Sequence, residues 1–383
     1  MAAIKTTTMV KKNGKLEPVY PKTSSEQVLG LSERISSVAK DLADAGEITV
    51  RSEPIIATTY QRRQMMYTDK TTVTIPKGTK VLINEVMYYA VNDTIVSLND
   101  AATAATRAGK DMYVYAVPKT DESNELTFKV SLNSTVPEGY TATNSRKIGG
   151  FHCLCLNVGT IANHQLSGYV TGDALPASVW DLRFRPQAEP EGMVFDERSG
   201  LWVDIYLASY DGSKLVSVYK GTIADGASTP KFPWYKFVDY FGRVKKRLPF
   251  QHEFMLFSIG SNQATNIAGS ADPGTTGGHN DTAGRRMVAH IGCEDCCGVM
   301  WQWGSDVGSP YDTSNWTDAY DSNDDGDSLG KAYYHSRRVM LGADWNDGVS
   351  CGSRSSYLGS SPLSLYSSHG ARGVCGPRAA STN

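Results

Sequence analysis

From Arg146 onward the chain shows little regular helical periodicity. Aromatic and glycine residues become more frequent, and stretches rich in Gly, Ser, Asn and Asp separate short apolar runs. A region built this way has few repeating backbone ladders to hold it together, so large buried side chains must supply its core. Trp180, Trp202, Trp301, Trp303 and Trp345 are the natural candidates. Residues 237–243 and 250–260 read as the short helices of this region. Long loops inside a compact domain tend to carry function, so residues 146–383 are the place to look for a site.

The preceding part of the chain follows different rules. Residues 73–98 alternate apolar and polar positions, with turns at Pro76-Lys77-Gly78-Thr79 and Val91-Asn92-Asp93-Thr94, and two further runs continue the pattern. Residues 48–145 therefore read as an antiparallel β-sandwich of about one hundred residues. Before it, Thr23 and Glu26 fit a helix capping box. Val28, Leu31, Ile35, Val38 and Leu42 then recur at spacings of three and four, and Gly46 ends the run. Such a seam serves either an amphipathic helix packed on its own domain or a short parallel coiled coil. The polar, Pro- and Lys-bearing residues 1–22 read as an extended attachment arm with no core to pack against. That favours the coiled coil, and residues 23–47 are read as a trimerising helix.

Composition excludes several function classes. The 383 residues carry a net charge of −2 and an ordinary apolar fraction, unlike a disordered chain. Basic runs are short, as at Lys245, Lys246 and Arg247, so no nucleic-acid stripe exists. The N-terminal residues lack the apolar centre of a signal peptide, and no stretch approaches the ~18 apolar residues of a membrane span. The seven cysteines are odd in number for a large chain and read as buried thiols rather than a disulfide framework. Cys293 and Cys296 form one CxxC pair without a second pair at zinc spacing.

Several local signatures follow one another in the C-terminal region: Arg146-Lys147-Ile148-Gly149-Gly150-Phe151-His152, Ser178-Val179-Trp180-Asp181-Leu182-Arg183-Phe184-Arg185-Pro186, Trp202-Val203-Asp204-Ile205-Tyr206-Leu207, Arg247-Leu248-Pro249-Phe250-Gln251-His252-Glu253-Phe254, Trp301-Gln302-Trp303-Gly304, Gly342-Ala343-Asp344-Trp345, Gly352-Ser353-Arg354 and Gly370-Ala371-Arg372-Gly373-Val374-Cys375. Each has a structural role to hand: core aromatics for the tryptophans, an early helix position for Glu253, loop-tying hydrogen bonds for Arg354 and Arg372. As a set they resemble the variable proteins of diversity-generating retroelements, of which the phage major tropism determinant is the best known. Some also resemble the formylglycine-generating-enzyme branch of the C-type lectin fold. The resemblance covers about residues 146–375. It departs in the first 45 residues, where that family is expected to have a small β-prism and this chain offers an arm and a helix. The Tyr20-to-Val28 segment instead resembles the fibre-attachment ends of other phage tail proteins.

The readings of the residues, joined to the resemblance for the last part, give a mainly β or α+β chain: arm, short coiled-coil helix, β-sandwich middle domain, and a C-terminal C-type-lectin-like domain at 146–383. Residues 344–369 mix Ser, Tyr, Gly, Asn, Asp and His with fixed-looking Trp345, Gly352, Arg354 and Pro362, a composition close to that of antibody binding loops. In the family, positions here are diversified by reverse transcription that miscopies adenines, chiefly in Asn codons. Carried over by motif, the variable ligand-binding positions are Asp344, Asn346, Gly348, Ser350, Tyr357, Gly359, Ser360, Ser364, Tyr366, Ser368 and His369, within a variable region at about 344–375. All are reachable from an Asn codon by changing its adenines, whereas Lys, Glu, Gln, Met and Trp are not, and none of those stands at these sites. Asp347, Val349 and Cys351 are left open.

These expectations describe a phage receptor-binding, host-tropism protein at the distal tip of a tail fibre. Its partners would be a host-surface receptor (protein or glycan), itself as a homotrimer, and phage tail or baseplate proteins, with no nucleic acid and no membrane insertion. Two other functions compete. A calcium-dependent sugar-binding lectin would use Asp321, Asn323, Asp325 and Asp327, which match the front of a calcium loop, but its twelfth position is Ala332 rather than Glu. The main expectation is no cofactor, with a structural calcium as the alternative. A formylglycine-generating-type oxidoreductase would need reactive cysteines, for which Cys351 and Cys375 are the C-terminal candidates. Cys351 lies in the diversified stretch, and the chain is read as a non-enzyme.

Overall fold

The structure is a computed structural model and describes residues 8–12, 15–19, 66–120, 123–310, 316–318, 331–333 and 336–378. The expected trimerising helix at 23–47 lies outside these residues. So does the calcium-loop set Asp321, Asn323, Asp325 and Asp327. The chain divides into two compact units, Met1–Gln61 and Arg62–Asn383.

In the first unit, strands β1 (Thr8–Lys12) and β2 (Lys15–Val19) pair antiparallel, with Thr8 opposite Val19 and Lys12 opposite Lys15. Residues 8–12 and 15–19 thus pair as a ribbon, where the sequence reading expected extended chain. Asn13-Gly14 between the strands is the dipeptide that most favours a two-residue hairpin. Pro18 is tolerated because a two-stranded ribbon consists of edges alone.

The second unit opens with β3 (Tyr67–Asp69), β4 (Thr72–Ile75), β5 (Lys80–Ile83), β6 (Val86–Tyr89) and β7 (Thr94–Ser97). Strands β3, β4 and β7 form one sheet, and β5 and β6 form a hairpin. That hairpin turns through Asn84 and Glu85, both at positive φ (46° and 67°) as a tight twisted turn requires. Strands β8 (Asp111–Pro118), β9 (Leu126–Ser131), β10 (Arg146–His152) and β11 (Trp180–Asp181) form a four-stranded sheet in the order β11-β10-β8-β9. Alternate residues of these sheets close on one core that includes Val73, Ile75, Val114, Phe128, Ile148 and Phe151.

The expected domain edge at 145/146 therefore cuts through a sheet. Strand β10 reads as the first motif of the C-terminal region, yet it hydrogen-bonds to β8 along its length. Its two glycines allow this. A Cβ on Gly150 would lie 2.6 Å from the Met112 carbonyl, and one on Gly149 would collide with the Trp180 carbonyl.

The rest of the chain is made of short strands: β12 (Met193–Asp196), β13 (Leu201–Asp204), β14 (Ser209–Tyr210), β15 (Leu215–Val216), β16 (Trp301–Val307), β17 (Trp316–Asp318), β18 (Lys331–Tyr333), β19 (Arg338–Leu341), β20 (Ser356–Ser360), β21 (His369–Gly370) and β22 (Val374–Cys375). Helices Trp234–Arg243 and Gln251–Phe257 fall close to the segments expected to be helical. Strand β22 joins the end of the chain to the β12-β13 hairpin. Aromatic side chains do fill the cores. Trp202 and Trp303 have no exposed surface, and Phe232, Phe237 and Phe241 cluster with Trp303. Burying one such ring contributes on the order of 4–5 kcal/mol as an upper bound.

Candidate functional site

The frame of the site is the sheet β20-β19-β16-β21. Residues 302–304 and 339–341 of its two central strands are buried. Trp303 and Met340 enter the cluster around Phe237 and Phe241, while Val339 and Leu341 enter the cluster around Phe254 and Phe257. Strand β20 is the edge, with Tyr357 opposite Met340 and Ser356 opposite Leu341. Solvent therefore meets this part of the molecule through β20 and the loops 342–355 and 361–368.

These loops are held by contacts from distant segments. Arg372 is fully buried and donates through Nη1 to the carbonyls of Asp204 (2.6 Å) and Ile205 (2.5 Å). It donates also to Gln302 Oε1 (3.2 Å) and the Glu294 carbonyl. Gly342 sits at φ +90°, and a Cβ there would collide with the Cys296 carbonyl. Ala343 follows at φ +72°. The Asp344 carboxylate accepts from the Asn346 amide (2.8 Å), and the Asp344 amide donates to the Asp347 carboxylate (2.9 Å). Asn266 donates to the Trp345 carbonyl, and a Cβ on Gly352 would lie 2.6 Å from Gln263 Oε1. Glu253, expected early in a helix, takes that place in Gln251–Phe257 and holds Arg247 by two bonds of 2.6 and 2.8 Å. Arg354, expected to tie loops together as Arg372 does, is instead exposed.

Against this frame the expected variable positions separate. Asn346, Ser350, Tyr357 and Tyr366 are exposed, the two tyrosines at 49% and 61%. Gly348, Gly359, Ser364 and Ser368 are half-buried. Asp344, Ser360 and His369 are buried. Burial, with the Asp347 carboxylate beside it, raises the Asp344 carboxyl above its ordinary range. His369 packs edge-on against Trp303 (5.1 Å between ring centres) and Tyr366 (4.9 Å). Its burial lowers the imidazole to about 4, so the ring is neutral at physiological pH. His369 is the platform under Tyr366, and Trp301 stands 6.1 Å from the ring of Tyr357.

Two exposed apolar residues escaped the sequence reading. Val349, left open there, is 85% exposed in the 3-10 turn Gly348–Ser350. Leu358, never singled out, is 47% exposed beside Tyr357 on the edge strand. An apolar residue within a run of Gly, Ser and Asp was the available signal. The surface thus presents two phenols, two aliphatic groups and short polar side chains. That mixture suits contact with another molecule.

The two C-terminal thiols that a redox reading would need, Cys351 and Cys375, are held protonated. All seven cysteines are free and buried. Burial pushes Cys351 up to about 12, and its Sγ donates to the Asp344 carbonyl (3.6 Å). Cys375 is also raised by burial. A thiol held protonated at neutral pH is a poor nucleophile. Among the described residues no group of three or more His, Cys, Asp and Glu side chains is placed to hold a metal ion.

Comparison with known proteins adds an independent line. Residues 63–181 match the family described as Mtd second domain, a span that includes β10 and β11. The chain is 29% identical over 365 residues to the tail fiber receptor-binding protein of Bordetella phage BPP-1, covering 88% of this chain and 90% of that protein. Solved structures of the U1 and M1 variants of Major Tropism Determinant are each 30% identical, with TM-scores of 0.67 and 0.68. Each match spans 81% of this chain and 82% of the other. With identity and backbone agreeing over four-fifths of both molecules, this chain belongs to the major tropism determinant family.

Proposed function

We infer that this protein is the receptor-binding protein of a phage tail fibre and determines host tropism, and that it is a binding protein rather than an enzyme. The observation that carries this is the match along nearly the whole length of a tail fiber receptor-binding protein, joined to an exposed aromatic and aliphatic surface in the segment that the motifs single out. The finer reading is a C-type-lectin-like scaffold carrying the diversified positions, a β-sandwich-like middle domain around the core of β3 to β11, and a homotrimer at the distal tip of the virion's fibre. Tail or baseplate proteins would hold the other end. Buried Arg372 and exposed Tyr366 lie six residues apart, which supports a division between fixed scaffold and changeable contacts. Single patches of this size bind weakly, and several copies on one particle raise avidity by ~10²–10⁴ without new contacts.

The test is virion adsorption to host cells. A phage carrying Tyr357→Ser and Tyr366→Ser in every copy should lose at least tenfold in adsorption rate, while the purified protein keeps its circular dichroism and oligomeric state. Unchanged adsorption with unchanged fold would refute the assignment of this surface.

A further inference from the structure

Away from that surface lies a cleft of about 810 Å³, within the size range of small-ligand sites. It opens where β8, β10 and β11 meet the β14-β15 hairpin and the end of helix Trp234–Arg243. The first residue of that helix donates its amide to the Pro362 carbonyl in the variable segment, and its last residue lines the cleft. A helix of 10 residues spans about 15 Å, so cleft and variable surface are separate places.

The charges around the cleft do not cancel. Its acidic groups are all engaged. Asp111 accepts from the Gly192 amide (3.1 Å) and is hydrogen-bonded to His152 (3.0 Å). Glu189 holds Lys214 (2.8 Å), and Glu191 is hydrogen-bonded to Tyr113. Two further cations pair outside the cleft: Arg243 with Asp239 (2.5 Å) and Lys246 with Asp204 (2.6 Å). Lys147 reaches the Ser134 carbonyl (3.0 Å) and the faces of Tyr113 (4.8 Å) and Trp180 (6.0 Å). Arg185, Lys245 and Arg378 remain, with no acidic partner among the described residues.

Two of these face each other. Pro186 and Pro377 form an antiparallel bridge, and the Arg378 amide donates to the Arg185 carbonyl (2.8 Å). The register sets Arg185 directly opposite Arg378. Like charges opposed across a ladder destabilise it. The half-buried Arg185 guanidinium is held below its ordinary pKa by burial and then by the charge of Arg378. Two opposed guanidiniums with free donors fit an oxyanion, whose bridging would turn the repulsion into attraction. Trp180 and the 39%-exposed Leu182 line the same cleft and offer an apolar wall for the body of a ligand.

We propose that this cleft is a second binding site, specific for a small ligand that carries a carboxylate or phosphate, with the oxyanion held between Arg185 and Arg378. The site is independent of the variable surface and of whichever receptor that surface meets. Its ligand belongs to the class of acidic saccharides and phosphorylated small molecules.

The test uses the full chain, with galacturonate and inorganic phosphate as probes in chloride buffer of matched ionic strength. Isothermal titration should give saturable binding of at least one probe, and which one binds assigns the carboxylate or the phosphate source. The bound probe should raise the melting midpoint by several degrees, as any ligand selective for the native state must. Arg185→Gln and Arg378→Gln should each weaken binding at least tenfold, while Lys129→Gln, exposed outside the cleft, leaves it unchanged. In chloride alone Arg185→Gln should melt higher than the parent, because the repulsion is gone, and in saturating probe it should melt lower. Absence of saturable binding, or binding unaffected by both Gln variants, overturns the proposal. So does a change of sedimenting mass in the Gln variants without anion binding, which would mean that the cleft receives an acidic side chain from a second copy of the chain.

Discussion

The middle sheets and the variable segment solve the problem of a stable backbone in opposite ways. Between β3 and β11, strands pair in long ladders, and side chains such as Val114, Phe128 and Ile148 alternate into one core. Shape and stability come from the same residues there, so a changed side chain disturbs the fold. Between 342 and 375 the strands are short, and the loops are fixed by a few buried contacts from elsewhere: Arg372 on three carbonyls, Gly342 against Cys296, Asn266 on Trp345. Residues such as Asn346, Val349 and Tyr366 carry little of that burden. The proposed change of partner without refolding needs this second arrangement.

The contrast can be broken by experiment. The largest effect should come from Arg372→Met. It strands the buried carbonyls of Asp204, Ile205 and Glu294, and a cost of about 3–5 kcal/mol is expected. Denaturant unfolding would measure it, and a loss below about 1 kcal/mol would show that the loops do not hang on this residue. Next comes acid. His369 is lowered to about 4 from an unfolded value near 6.5, so the unfolded state binds the proton more tightly. Its contribution is intact above pH 6.5 and is lost as pH falls toward 4, by up to about 3 kcal/mol. His164, also lowered to about 4, adds a similar slope from its own site. His369→Phe should remove only its own share of the slope in a pH series of unfolding curves. In the middle sheet, Gly149→Ala forces β10 from β11 and should cost about 1–3 kcal/mol, although only one methyl is added. Smallest in stability are the Tyr357 and Tyr366 substitutions used to test adsorption, expected within about 0.5 kcal/mol of the parent.

Much of the frame was legible in the chain. The tryptophans announced an aromatic core, Glu253 its helix position and Arg372 its role, because large apolar groups and RLPxxxEF- or GARGVC-type motifs leave few alternatives. The edge at 145/146 was misplaced because β10 reads like the C-terminal signatures, and only pairing with β8 shows which sheet it enters. The pairing of residues 8–12 with 15–19 was legible in principle from the Asn-Gly dipeptide in the sequence, but the polar residues around it pointed to an arm. Within the variable set, Asp344, Ser360 and His369 look as changeable as Ser350 or Tyr366. Their residue types carry no mark of burial, and Trp303 beneath His369 comes from 66 residues away. Arg185 and Arg378 are 193 residues apart, and nothing local in the sequence sets them opposite each other.

By itself the sequence determined which family of folds this protein joins and which segment we propose for receptor contact, since both are written in local motifs and composition. The tertiary structure alone decided which residues of that segment are exposed, and that a second, charged cleft exists. Exposure and opposed charge are properties of residues brought together from distant parts of the chain, and short-range pattern cannot encode them.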